Sequence, residues 1–352
     1  MPVLSYAQPG LLLTISARPS QQIRDLQHDL RSLGYLIGYI EGWFKSSTAR
    51  SVRALQFDLL HNAGASSNGD GSAPVAVTKY NRGRVTAITG VVDQNLVACI
   101  TEMLDDSAFP KLPSSASPQI DNERAMQAIS SAGGGQVPFP FLYAILMQES
   151  GGEHFHVPLA TDSDTFVTVG CDTNDGKNPD HITSRGFGIG QFTLFHHPPA
   201  SAEMTGYIAD PVGNVMKAIA DLRQKLDKYV VGPADQADDR THEIGNEPLR
   251  LCKFDPANPL FMRDCINCLR QAGTQPIVAG QTPLYEGSPG KYKKTQYHPG
   301  SYSGVPVRRK IPCDWPYAVR RYNGSGPNSY DYQAEVLLKV LDAPQYLSSS
   351  ET

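Results

Sequence analysis

The stretch Pro138–Gly152, PFPFLYAILMQESGG, decides how the second half of this 352-residue chain is read. Leu142, Ile145, Leu146 and Glu149 fall at the i, i+3, i+4, i+7 spacing of one helical face. The pattern predicts a helix that ends at Ser150-Gly151-Gly152, with one carboxylate closing an apolar stripe. Desolvation and the negative end of the helix dipole both disfavour an ionised Glu149. Its pKa is therefore expected to rise, as a general acid working near neutral pH requires. Downstream, two glycine-bracketed motifs answer it: Gly188-Ile189-Gly190-Gln191 and Tyr322-Asn323-Gly324-Ser325-Gly326.

Glutamate-serine at a helix end, a glycine turn closing on glutamine, then Tyr-Asn-Gly-x-Gly before a last helix resembles the soluble lytic transglycosylase and goose-type lysozyme superfamily. The likeness covers roughly residues 138–195 and 315–342. It implies a lysozyme-like domain that cleaves the MurNAc–GlcNAc bond of peptidoglycan. Glu149 would protonate the leaving oxygen, then take the proton of the muramyl 6-hydroxyl, giving a 1,6-anhydro sugar without a second carboxylate. Tyr322 would place a phenol near that acid, and Ser150, Gly188, Gln191 and Asn323 would contact substrate. A muramidase needs an activated water and usually a second acidic residue. Asp162, Asp164, Asp172 and Asp175 follow Glu149 in a loop-like segment, and Asp162 and Asp172 are carried forward as catalytic candidates. The plainer reading of all four is a polar loop held by Asx turns or a bound cation.

Working back towards the N-terminus, an internal repeat appears: Leu26-Gln27-His28-Asp29-Leu30 and Leu55-Gln56-Phe57-Asp58-Leu59. Leu33-Gly34-Tyr35, Gly38 and Glu41-Gly42-Trp43-Phe44 lie between them. This pattern resembles the three-helix type of peptidoglycan-binding domain, most closely over residues 20–61. Gly34 and Gly42 suit turn positions of positive φ, and Ser47-Thr48 are expected to cap the second helix. Tyr39 and Trp43, with Glu41 and Lys45, are the candidate wall contacts. Residues 62–89 form an insertion before a third helix near Gln94–Leu104. The expected organisation is a binding domain over 1–105, a Pro- and Ser-rich linker over 106–121, and the lysozyme-like domain over 122–352. The fold class expected is mainly α, with a long irregular insertion at about 230–314 that would pack over the cleft or form a lid, held in place by the clustered cysteines.

A chain that is 40% hydrophobic and 19% charged suits two globular domains. Its formal net charge of −4 and lack of a basic run argue against a nucleic-acid partner. There is no apolar run of about 18 residues to span a membrane. The N-terminus lacks a basic n-region and an A-x-A-like site, so it is a poor signal peptide. A wall enzyme of this kind would be made in the cytoplasm, delivered by a phage or a specialised secretion system, and act in the periplasm or cell wall. The partners expected are peptidoglycan glycan strands, an immunity protein that plugs the cleft, and secretion machinery. Cys252, Cys265, Cys268 and Cys313 leave disulfides, a zinc site or free thiols open. His154, His156, His181, His196 and His197 crowd one region without H-E-x-x-H, and no G-x-S-x-G occurs. No cofactor and no catalytic metal are expected. A catalytically silent wall-binding protein and a zinc amidase are the competing classes.

Overall fold

The protein is described from a computed structural model covering residues 4–15, 17–66, 71–132, 137–231, 261–275, 304–307, 311, 313–324 and 328–343. The fold is mainly α. Two compact units divide the chain: Met1–Asn122 with Glu153–Asn214, and Glu123–Gly152 with Val215–Thr352. Among the described residues, no helix is long and apolar enough to cross a membrane.

The first unit is built on α1 (Gln21–Ser32), α2 (Ser46–His61) and α3 (Gln94–Asp105). Ile23, Leu26 and Leu30 of α1 are fully buried with Val52 and Leu55 of α2 and Leu96 and Ile100 of α3. Ser20 caps α1 through Ile23 N, and Asp93 caps α3 through Leu96 N at 2.9 Å. α2 departs from expectation: Lys45 stands at its N-cap without a side-chain cap, and Thr48 instead receives a hydrogen bond from Gln27.

The internal repeat has a physical cause. Gln27 is buried, and its Oε1 accepts from Glu41 N and Gly42 N while its Nε2 donates to Trp43 O. Gln56 does the same one repeat later, accepting from Thr89 N and Gly90 N and donating to Val91 O. Gly42 and Gly90 both have φ above +70° where these loops turn. The repeat aspartates each accept a tyrosine hydroxyl, Asp29 from Tyr6 at 2.5 Å and Asp58 from Tyr35 at 2.8 Å. Each LQ-x-DL helix thus clamps one loop and one tyrosine.

Residues 153–214 belong with these helices, which corrects the expected domain boundary. Phe109 and Leu112, inside the expected linker of 106–121, are buried, and Leu112 N donates to Ser32 O at 2.7 Å. Arg31 and Asp164 form a buried ion pair at 2.7 Å. An antiparallel sheet of β1 (Val169–Asp172), β2 (Ser184–Phe187) and β3 (Phe192–Leu194) runs in the order β1-β2-β3. Helices α4 (Pro118–Ala132) and α6 (Pro211–Lys225) contain two of the division points.

The second unit centres on α5 (Phe139–Ser150). Phe141, Leu142, Ala144, Ile145 and Leu146 are all buried, so most of its circumference is covered, well beyond the single expected stripe. Around it pack α7 (Phe261–Gln271), α8 (Trp315–Tyr322) and α9 (Asn328–Leu341). α7 lies within the expected 230–314 insertion, yet it packs on α5 and α9, and its Ile266 and Leu269 are buried. That described part is core, not lid. Cys265 and Cys313 are buried and Cys268 is half-buried, whereas Cys252 lies outside the described residues.

Candidate active site

Glu149 stands in the last turn of α5, one turn beyond Ile145. Gly151 follows in the left-handed region at φ +68° and donates to Met147 O, stopping the helix. The carboxyl is sheltered, and Oε1 accepts a 2.7 Å hydrogen bond from the Tyr332 hydroxyl. Burial pushes the Glu149 pKa up to about 7, and the Tyr332 bond pulls it partly back. Near neutral pH the group therefore populates both protonation states, which an acid that must later act as a base requires.

Two phenols share this surrounding. Tyr322, the last residue of α8, has its pKa held well above the usual tyrosine range, first by burial and then by the negative charge of Glu149. Tyr332, on α9, is raised for the same reasons and by its hydrogen bond to Glu149. Both remain protonated donors. Beside them, Gln148 donates from Nε2 to Glu335, while the buried Oε1 of Gln148 has no partner among the described residues.

Tyr332 was not singled out in the sequence. Its signal was a single phenol on a face otherwise filled by Val336 and Val340, at i, i+4, i+8. A hydroxyl buried in such a stripe must find a partner, and here the partner is the carboxylate. Of the other expected residues in this unit, Ser150 turns its Oγ back to Leu146 O at 3.2 Å, and Asn323 is the exposed C-cap of α8.

The remaining candidates belong to the first unit. Gly188 is buried with φ +70°, and a Cβ there would lie 2.5 Å from Asn214 Nδ2 and 2.6 Å from the His154 ring. The glycine is needed because those two side chains fill the turn. His154 Nδ1 accepts from Ile189 N and its Nε2 donates to Ile208 O, while Asn214 Oδ1 accepts from Gly190 N. Burial holds the His154 pKa down at about 4, consistent with a neutral ring in that network. Gln191 is a non-glycine residue at φ +48°, and its Nε2 folds back onto Gly188 O at 2.8 Å.

Each of the four aspartates is engaged by hydrogen bonds or an ion pair within the first unit. Asp162 accepts from Ile40 N and Asp164 N, both at 3.0 Å, and Asp164 is paired with Arg31. Asp172 is exposed and accepts from Ser184 Oγ. Asp175 is held down at about 2 by hydrogen bonds from Asn178, Lys177 N and His181. Tyr39 and Trp43, at 59% and 50% exposure, are open enough to serve as contacts. Among the described residues, no group of three or more His, Cys, Asp or Glu could hold a metal ion.

No family model matches this chain, and no curated protein or solved structure matches it significantly.

Proposed function

We propose that the protein degrades peptidoglycan by cleaving the β-1,4 MurNAc–GlcNAc bond, with Glu149 as general acid and then base. The observation that carries this reading is the Glu149 carboxyl with its pKa near 7, at a helix end, hydrogen-bonded by one phenol and close to a second. Tyr332 would hold the acid's orientation, and Tyr322 would offer its hydroxyl to substrate. The first unit is proposed as a peptidoglycan-binding module that engages glycan strands through Tyr39 and Trp43. Tethering such a module raises the effective substrate concentration at the acid. An immunity protein or a secretion-machinery partner, and action in the periplasm or cell wall, belong to the same proposal.

A lytic transglycosylase is favoured over a muramidase, because Asp162 is engaged by Ile40 N and Asp164 N and Asp172 by Ser184 Oγ, and one acid suffices for the transglycosylase. Mass spectra of muropeptides released from purified sacculi test this. Products lighter by one water than muramidase products are expected, with Asp162→Asn and Asp172→Asn each retaining activity. Reducing-end products would make it a muramidase. Intact sacculi with retained binding would leave a silent wall-binding protein.

A further inference from the structure

Within the first unit, the C-terminal end of α2, the segment entering β2 and the segment after β3 enclose a cavity of about 520 Å³. Small-molecule sites commonly span about 300–1,000 Å³. Phe57, Ile182 and Leu194 supply apolar wall. Phe57 is stacked on His181, with ring centroids 4.8 Å apart and planes at 19°, and meets His61 at 4.7 Å. Phe57 and His181 thus form a stacked pair, with His61 tilted against it at 51°.

The polar lining is unevenly satisfied. Asp58 already accepts from Tyr35 Oη, Asn62 Nδ2 and Arg185 Nη2. Asp175 accepts from Asn178, Lys177 N and His181 Nδ1. Asp175 is therefore occupied on both oxygens and Asp58 on Oδ2. Several donors are still open. Arg185, 3% exposed, donates from Nε to Gly34 O and from Nη2 to Asp58, leaving Nη1 without a hydrogen bond among the described residues. His181 uses only Nδ1, and the His61 ring, exposed at the rim, makes no hydrogen bond among the described residues.

We propose that this cavity binds a small anionic molecule, its carboxylate or phosphate head received by Arg185, His61 and His181 and its flat apolar body laid against Phe57. Both wall carboxylates are already engaged by donors of this chain, so their charge is partly answered before a ligand arrives. The carboxyl end of α2 disfavours an anion, but more weakly than one guanidinium hydrogen bond favours it.

The test is titration of the full chain with benzoate, phenyl phosphate and the neutral benzamide, by calorimetry and by the ring signals of His61 and His181. Saturable binding of at least one anion, about tenfold or more tighter than benzamide, is expected. Whichever anion binds tighter identifies the head group. Ala63 is exposed and lines the cavity, so Ala63→Trp should abolish binding while circular dichroism stays unchanged. His61→Ala should weaken it about threefold or more, and Glu149→Gln should bind as wild type. Non-saturable binding, benzamide as tight as both anions, or wild-type affinity in folded Ala63→Trp would overturn the site. If Ala63→Trp fails to fold, unchanged affinity in His61→Ala does so instead.

Discussion

Two buried polar clusters, one in each unit, are built on opposite terms. Around Gly188–Gln191 the donors and acceptors close on one another: His154 and Asn214 answer Ile189 N, Gly190 N, Phe187 O, Tyr207 O and Ile208 O. Among the described residues, the Glu149 carboxyl has one phenol for its hydrogen bond, and the neighbouring Gln148 Oε1 is buried without a partner. A closed network fixes a shape and shelters neutral groups. An incompletely answered carboxyl keeps its proton poised and leaves acceptors for a substrate to meet. Both motifs read as chemistry in the sequence, but only the second has the electrostatics of an acid.

The sharpest way to break that contrast is Glu149→Gln. The amide keeps the shape but delivers no proton, so release of muropeptides from sacculi should fall by about 10²–10⁴-fold. A variant keeping a tenth of wild-type activity would remove Glu149 from the acid role.

Next in size is Gly188→Ala, which forces a Cβ to within 2.6 Å of both Asn214 and His154 at φ +70°. Overpacking plus left-handed strain should destabilise the fold by about 3 kcal/mol, read as a lowered urea midpoint. A change within about 0.5 kcal/mol, the range of ordinary surface substitutions, would mean that the turn is not closed by these side chains.

Much of this was legible in the sequence. The end of α5 and the position of Glu149 follow from apolar spacing and two glycines. The repeat followed from its letters, although its reason, two glutamines each clamping a loop, lies in contacts between residues far apart in the chain. The domain boundary was not legible, because a Pro- and Ser-rich stretch reads as linker whether or not Phe109 and Leu112 are covered. Burial of that segment depends on Ser32 and Thr165, which no local pattern connects to it. Tyr332 escaped for a related reason: a tyrosine on a buried helical face looks like core until the carboxylate it bonds is placed.

A third prediction uses linkage. The Glu149 pKa is about 7 in the folded protein against an ordinary 4.5, so the folded state binds more protons between those values. Its protonation favours the fold fully below pH 4.5, and that contribution is lost as pH rises through 7. Glu149→Gln should therefore match wild type near pH 4 and exceed it in stability at pH 8 by on the order of 3 kcal/mol. Parallel pH–stability curves for the two proteins would mean that the carboxyl is not desolvated in the fold.

The smallest expected effect tests the one bond that sets the acid apart from its surroundings. Tyr332 donates to the ionised form of Glu149 and so lowers its pKa against the larger upward push of burial. Tyr332→Phe removes that donor and leaves the ring packing. The carboxyl should then hold its proton to higher pH, and the alkaline limb of the activity profile should move upward by about one unit or less, on the order of 1 kcal/mol. A role for Tyr332 in packing alone would lower activity at every pH without moving the limb. A limb that moved to lower pH would show that the phenol stabilises the protonated acid, reversing the assignment of donor and acceptor at the site.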